Sequence, residues 1–470
     1  MITITPNPND RNESFRAVAE PFLQADGLPF ADVLTAESVE KAFRDRDALF
    51  GQGHLYSTPI VLWGFLAQAL QDSKGASCAA AVENIATYMN QSDLPVPCGD
   101  TGDYCRARAK LDLQAVQHLT ADTARGLEAD APEAWLWKGH HAKLIDGFTF
   151  TMPDTATNQQ AFPQQSSQAP GVGFPIARAC TVQSLATAAV CNLAIGPYAG
   201  KETGESALLR SLLGSFDGDD VAVFDRCCCS FMMIALFQHG HVHVCTRLHQ
   251  RRKSDFRRGR RLGKDDHLMT WTRPTCPAWM SEEEYDQIPE TLTLREIRFN
   301  VVIPGRRTDT ITVVTTLTDP DEYSAQDIAD LYGFRWNVEL DIRDVKQTLG
   351  LDHVRCKSPE MVLLEVWVTL LAYNLVRRVI ATSAALHDKH PRQLGFTLAC
   401  QAITSSWMLL ATGSCRNPHR QWATALQRIA RNEVANRPGR VEPRELKRRR
   451  HRYRLMQRPR LELQEELRKP

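Results

Sequence analysis

Two short apolar runs, each stopping on an aspartate, constrain this chain more than any other feature. KLIDG at 143–147 and VAVFD at 221–225 have the length and apolar content of buried strands. An acid placed where an apolar strand stops loses hydration, and the loss is costly unless a partner offsets it. A divalent cation is one such partner, because hard Mg²⁺ takes oxygen ligands. A turn, or the first turn of a following helix, is another. Asp146 and Asp225 are thus candidates for a metal site and equally for capping. Gly147, directly after the first, allows the backbone to turn or a ligand to come close.

The surroundings read as a mixed sheet flanked by helices. ACTVQSLATAAVCNLAIGPYA at 179–199 supplies two further strands, and ESALLRSLLGSF at 205–216 is helical. A helix at SFMMIALFQHG and a strand at HVHVCTRL follow VAVFD. The segment at 155–175, rich in Gln, Ser, Pro and Gly, reads as a loop. TLTLREIRFNVVI and DTITVVTTLTD form a later β-rich block. Residues 33–130 and 386–436 carry helical spacing, and a mobile tail is expected beyond 437. The most apolar stretch, MVLLEVWVTLLAYNLV at 361–376, contains Glu365 and is followed by Arg377 and Arg378, so it reads as a buried helix rather than a membrane span.

Charge is unevenly spread. The net charge is +1, yet RLHQRRKSDFRRGRRLGK at 247–264 and RPGRVEPRELKRRRHRYRLMQRPR at 437–460 are dense in Arg and Lys, with compensating acids elsewhere, as in SEEEYD at 281–286. Such patches suit a polyanionic partner; solvated loops are the plainer account. Thirteen cysteines, an odd number with irregular spacing, fit reduced thiols in a cytoplasm. The start, MITITPNPNDRNESF, has neither the basic nor the apolar region of a signal peptide.

LYGFRWNVELDIRDVKQTLG at 331–350 carries Tyr, Arg, Glu and Lys at intervals of three, four and seven. At about 100° per residue, with Tyr332 at zero, Arg335 falls near 300°, Glu339 near 340° and Lys346 near 320°. Leu331, Phe334, Val338, Ile342, Val345 and Leu349 form the apolar face. Asn337, Asp341 and Asp344 are expected to face solvent. The polar stripe borders the core face, which predicts a half-buried, immobilised Glu339. An exposed Arg335–Glu339 pair, worth a few tenths of a kcal/mol, accounts for the stripe as well.

Tyr332, Arg335, Glu339 and Lys346 match the Y-x2-R-x3-E-x6-K signature, and on it the chain resembles the IS-four family of bacterial insertion-sequence transposases. LIDGFTFTMPDTATNQQAFP, VAVFDRCCCSF, RLHQRRKSDFRRGRRLGKDDHLMTW and VEPRELKRRR also look like stretches of that family. The resemblance implies a mixed α/β fold: an RNase H-like catalytic core with a β-rich insertion, preceded by a helical DNA-binding domain and followed by a helical C-terminal region. The corresponding segments are 1–135 (helical, DNA-binding), 136–250 (first part of the core), 251–325 (basic, β-rich insertion), 326–385 (final core helices) and 386–470 (helical, with a basic tail).

The same resemblance implies a metal-binding catalytic triad of Asp146, Asp225 and Glu339, with two Mg²⁺ ions, for which Mn²⁺ can substitute. Tyr332, Arg335 and Lys346 would contact the phosphates or the distorted DNA end. Arg251, Arg252, Arg257, Arg258, Arg260 and Arg261 of the first basic run would add contacts to DNA. One of Trp271 and Trp279 could hold a flipped base, and nothing in the sequence chooses between them. The implied partners are double-stranded DNA, as terminal inverted repeats and target, and a second copy of the chain in a synaptic complex, with no membrane. The implied location is the bacterial cytoplasm, at the nucleoid when bound to DNA.

The expected activity is cleavage at transposon ends and joining of the 3′-OH ends to target DNA by two-metal phosphoryl transfer. A metal-dependent endonuclease that cuts without joining is the alternative, as is a domesticated DNA-binding protein without catalysis. A carboxylate-pair glycosidase leaves the arginine-rich runs unexplained. Three weaker signals remain. His241 and His243 alternate with valines and so share a sheet face, as a polar face or a zinc pair. Cys98 and Cys105 fit no zinc spacing well, and GVGFP at 171–175 is a turn rather than a phosphate loop. The Cys227–Cys229 triplet beside Asp225 has no account at this level.

Overall fold

A computed structural model describes residues 34–51, 54–71, 75–91, 94–301, 309–411, 415–434 and 455–468. The readings of MITITPNPNDRNESF, of VEPRELKRRR and of most of the mobile tail lie outside the described residues.

Among the described residues, five helices precede the first strand: α1 (Ala36–Arg44), α2 (Thr58–Ala69), α3 (Cys78–Gln91), α4 (Thr101–Arg108) and α5 (Leu113–Ala129). Asp100 and Asp112 cap α4 and α5, accepting from the backbone N–H of Gly102 and Ala115. The middle of the chain runs β1 (Ala142–Thr151), α6 (Ala156–Ala161), β2 (Ile176–Ser184), β3 (Val190–Pro197), α7 (Glu205–Arg210), β4 (Val221–Phe224), α8 (Phe231–His239) and β5 (His243–Arg247). Then come β6 (Arg260–Gly263), β7 (Asp266–Thr272), α9 (Glu282–Asp286), β8 (Thr291–Val301) and β9 (Asp309–Thr315). The chain continues through α10 (Ala325–Gly333), α11 (Trp336–Arg343), a π-helical turn (Asp344–Thr348), α12 (Pro359–Leu386), α13 (Phe396–Ala411), α14 (Pro418–Arg431) and α15 (Arg460–Arg468).

The strands form one nine-stranded sheet in the order β3-β2-β1-β4-β5-β9-β8-β7-β6. β1 pairs antiparallel with β2 and parallel with β4, and β4 runs parallel to β5. That 3-2-1-4-5 order, with helices in the crossovers, is the RNase H-like arrangement within a mixed α/β fold. The β-rich insertion extends the same sheet, because β9 adds antiparallel to β5. Burial follows from sequence: VAVF of β4 is wholly buried, as a strand covered on both faces must be.

The chain divides into two compact units. The described part of the first falls within 34–135, 186–191 and 341–434; that of the second falls within 136–185, 192–340 and 455–468. The first unit is built around α12, which packs on α2, α5, α13 and α14. By length and composition α12 could cross a membrane, but 72% of its apolar window is buried inside the protein, as a core helix requires. Asn374 on α12 is fully buried; it accepts from the Val190 N–H at 2.8 Å and donates to the carbonyls of Val190 and Thr120 at 2.9 and 3.2 Å. In the second unit, α7 lies on β2, α8 on β5, and α10 on β5 and β9.

Four local expectations are corrected. The 155–175 segment is not all loop: Thr155 caps the short helix α6 by accepting from the Asn158 N–H. The stretch 331–350 is not one helix, since α10 stops at Gly333, α11 starts at Trp336 and a π-helical turn follows. A single 100° wheel therefore misplaces Phe334, which is exposed, and Asp341, which is buried. Asp341 accepts from Arg377 at 3.1 Å and from Arg392 at 2.9 Å, because a guanidinium buried on α12 needs a carboxylate. Finally, His241 sits in a left-handed turn with φ 58° while β5 begins at His243, so the two imidazoles share no strand face.

Candidate functional site

Asp146 lies within β1, opposite Thr181 of β2, and does not end the strand, which continues to Thr151. Leu144 stands beside Val223 in the parallel register. Two residues further along each chain come Asp146 and Asp225, so the pairing brings both acids to one end of β4. Asp225 opens the short turn Arg226–Cys228, yet its side chain makes no capping bond. The carboxylate is thus left for other partners.

The partners come from the end of α10 and the residues that follow it. Arg335 reaches Asp146 Oδ2 with Nη1 at 3.6 Å and Glu339 Oε1 with Nη2 at 3.1 Å. Tyr332 donates its hydroxyl to Asp225 Oδ1 at 3.3 Å. One guanidinium thus joins Asp146 to Glu339, while the Tyr332 phenol bonds Asp225 separately. The halt of α10 at Gly333 and the restart at Trp336 turn both side chains toward the strands.

Burial is not distributed as the helical stripe predicts. The Glu339 side chain is 54% exposed, whereas that of Asp146 is only 20% exposed. Burial raises the Asp146 carboxyl to about 6; Arg335 and the Gly147 N–H, which donates to Oδ1 at 2.9 Å, pull it back, and Glu205 and Glu339 push it up. Burial also opposes the charge on Arg335, but Tyr332, Asp146, Asp225 and Glu339 more than offset it and its pKa is raised. Tyr332 is 2% exposed, and burial keeps its hydroxyl protonated. It is a partner of Asp225 here.

Lys346 belongs to the helical unit, on the π-helical turn, with Nζ 2.8 Å from Asp352. Arg251, Arg252, Arg257, Arg258, Arg260 and Arg261 of the first basic run are all exposed. Trp271 is buried, donates its indole N–H to Glu296 at 3.0 Å and is covered by the Arg252 guanidinium at 3.8 Å. Trp279 is half-buried under Arg210 at 4.0 Å.

Glu205, at the start of α7, is a residue that sequence reasoning missed. A Cβ on Gly147 would stand 2.0 Å from its Oε1, so the glycine beside Asp146 makes room for this carboxylate. Cys227 donates its thiol to Glu205 Oε2 at 3.1 Å. The Cys228 thiol, burial and the Glu205 charge hold the Cys227 thiol up, so it stays protonated. An acid in the first turn of a helix reads in sequence as a partner of the helix dipole, and no spacing ties Glu205 to Gly147.

Among the described residues, no three His, Cys, Asp or Glu side chains stand close enough to hold a metal ion unaided. The Arg335 guanidinium instead serves as the cation between Asp146 and Glu339, with its Nε buried and lacking any hydrogen-bond partner. Hard carboxylate oxygens around one cation are of the chemical type that a divalent ion takes.

The transposase DDE domain family model matches residues 137–375. The chain is 26% identical over 390 residues to the transposase InsG for insertion sequence element IS4 of Escherichia coli (strain K12), covering 82% of this chain and 83% of that one. It is 38% identical over 85 residues to the transposase for insertion sequence element IS421 of Escherichia coli, covering 18% and 22%. Among solved structures, a piggyBac transposase synaptic complex with hairpin DNA aligns with 93% of this chain and 89% of that one, at 11% identity and a TM-score of 0.41.

Proposed function

Since the chain belongs to the transposase DDE domain family, we propose that Asp146, Asp225 and Glu339 are the carboxylates with which it cuts DNA at transposon ends and joins the freed 3′-hydroxyls to target DNA. The observation that supports this reading is that Arg335 bridges Asp146 of β1 and Glu339 of α11, while Tyr332, three residues before Arg335, bonds Asp225 at the end of β4. Two divalent ions, Mg²⁺ or Mn²⁺, would be held by these carboxylates and would supply activation of the attacking oxygen and charge relief at the leaving oxygen.

The chain's own groups prepare that chemistry. Asp146 is the more buried ligand, fixed by the Gly147 N–H. Glu339 is the exposed one. Arg335, released from the carboxylates, binds a phosphate of the DNA end with its two-pronged guanidinium. Tyr332 orients Asp225. Lys346 and the exposed arginines 251, 252, 257, 258, 260 and 261 hold the phosphate backbone, an interaction that weakens steeply with salt. Sequence reading falls to the N-terminal helices, and the active form is a pair of chains on two DNA ends.

The experiment is a strand-cleavage assay on a labelled transposon-end duplex with Glu339→Gln. Cleavage and joining are expected to vanish while duplex binding stays within about twofold, because the fold and the basic surface remain. Full activity of this variant in Mg²⁺ would refute the assignment. A parallel assay, with a pre-cut 3′-OH end and a target plasmid, separates joining from cutting alone.

A further inference from the structure

The first basic run is not a loose loop. Between β5 and β6 the chain is fastened to β7 and β8 at several points, one through a buried carboxylate and others through the His267 and Trp271 side chains that this carboxylate holds. Glu296 on β8 is 4% exposed. It accepts from Trp271 Nε1 at 3.0 Å, lies 3.2 Å from His267 Nε2, and accepts the Ser254 hydroxyl in a short bond. His267, 0% exposed, turns its Nδ1 to the Arg258 carbonyl at 2.7 Å and stacks on Phe256 at 4.4 Å. Arg252 lies over Trp271 at 3.8 Å and Arg298 over Phe256 at 4.3 Å. At Gly259, with φ +74°, a Cβ would meet the Leu268 carbonyl at 2.0 Å, so the segment passes directly against β7.

A buried carboxylate is costly unless donors surround it. Here the donors are residues that hold an arginine-bearing segment, or that stack on those that do. We propose that Glu296 is a positioning residue. Through Ser254, His267 and Trp271 it locks segment 251–261 into the shape that grips a DNA phosphate backbone, so that the grip exists before DNA arrives. This rests on the reading that the arginines of this segment contact DNA. Its physical content is preorganisation: a segment already ordered does not lose conformational freedom on binding, and affinity rises without any added contact.

The two consequences separate cleanly. Loss of the lock leaves all six guanidinium charges in place, so the number of phosphates contacted, and hence the salt slope, is unchanged; only affinity falls. Loss of arginines lowers the slope by about 0.9 per phosphate.

The test uses the full chain and a short labelled duplex of arbitrary sequence, with binding measured across a salt series and trypsin cleavage after Arg257 and Arg258 followed in parallel. Glu296→Gln is the direct variant; Ser254→Ala with Phe256→Leu releases the segment while sparing the buried carboxylate. Both are expected to speed trypsin cleavage severalfold and weaken binding about tenfold with the wild-type salt slope. Arg257→Glu with Arg258→Glu is the control, expected to lower the slope by about two. Should the control bind like wild type, the DNA contact itself is wrong. Should the control weaken binding while both released variants bind as wild type, or resist trypsin as wild type does, the positioning role is overturned and the DNA contact stands.

Discussion

Asp146 should cost the folded protein stability, and replacing it by Asn should return that stability. Burial holds its carboxyl near 6 against an ordinary 3.8. At about 1.36 kcal/mol per pKa unit, keeping it ionised at neutral pH costs roughly 3 kcal/mol in the absence of metal. Asn keeps an oxygen for the Gly147 N–H but gives up the ion pair with Arg335, which retains Glu339. The expected gain for Asp146→Asn is therefore about 1–3 kcal/mol. The sign of the pH dependence follows from the folded state binding the proton more tightly. Below about pH 4 the carboxyl is protonated in both states and the two proteins differ little; the cost to wild type grows as pH rises toward 6 and is complete above it. Urea unfolding in a chelator, at neutral pH and again near pH 4, measures both points. A variant no more stable than wild type at neutral pH, or a difference that does not shrink on acidification, would show that this acid is not held at a burial cost.

Two further outcomes follow from close contacts. Asn374→Ala strands the Val190 N–H and two carbonyls inside the helical unit, and should cost about 2–4 kcal/mol in urea unfolding; a loss under 1 kcal/mol would mean the site relaxes or takes up water. Gly147→Ala places a methyl where the Glu205 carboxylate lies. Because that carboxylate ends a flexible side chain, stability should change by less than about 1 kcal/mol, while Cys227, freed of Glu205, should alkylate severalfold faster by peptide mapping. An unchanged rate would place Glu205 elsewhere.

Much of the secondary structure was readable because it depends on local pattern. KLIDG and VAVFD announce strands by their apolar runs, and the 28 residues of α12 announce a core helix. Some misreadings arise where a distant segment intervenes. Asp341 has the wheel position of a solvent residue, and only the approach of Arg377 and Arg392 makes it a buried anion. Glu205 carries no local sign of its place beside Gly147. Trp271 and Trp279 are alike as sequence, but Glu296 and Arg252 enclose the first alone.

The sequence by itself determined the alternation of strands and helices, the two acids that follow apolar runs, the spacing of Tyr332, Arg335, Glu339 and Lys346, and the density of arginines at 251–261. Periodicity and composition act over a few residues, and they survive in any fold the chain adopts. Tertiary structure alone decided that Asp146 is the half-buried acid and Glu339 the exposed one, that a guanidinium bridges them, and that the arginine segment is fastened rather than free. Burial and ion pairing depend on what packs against a side chain, and that neighbour comes from β2, β8 or α10, scores of residues away.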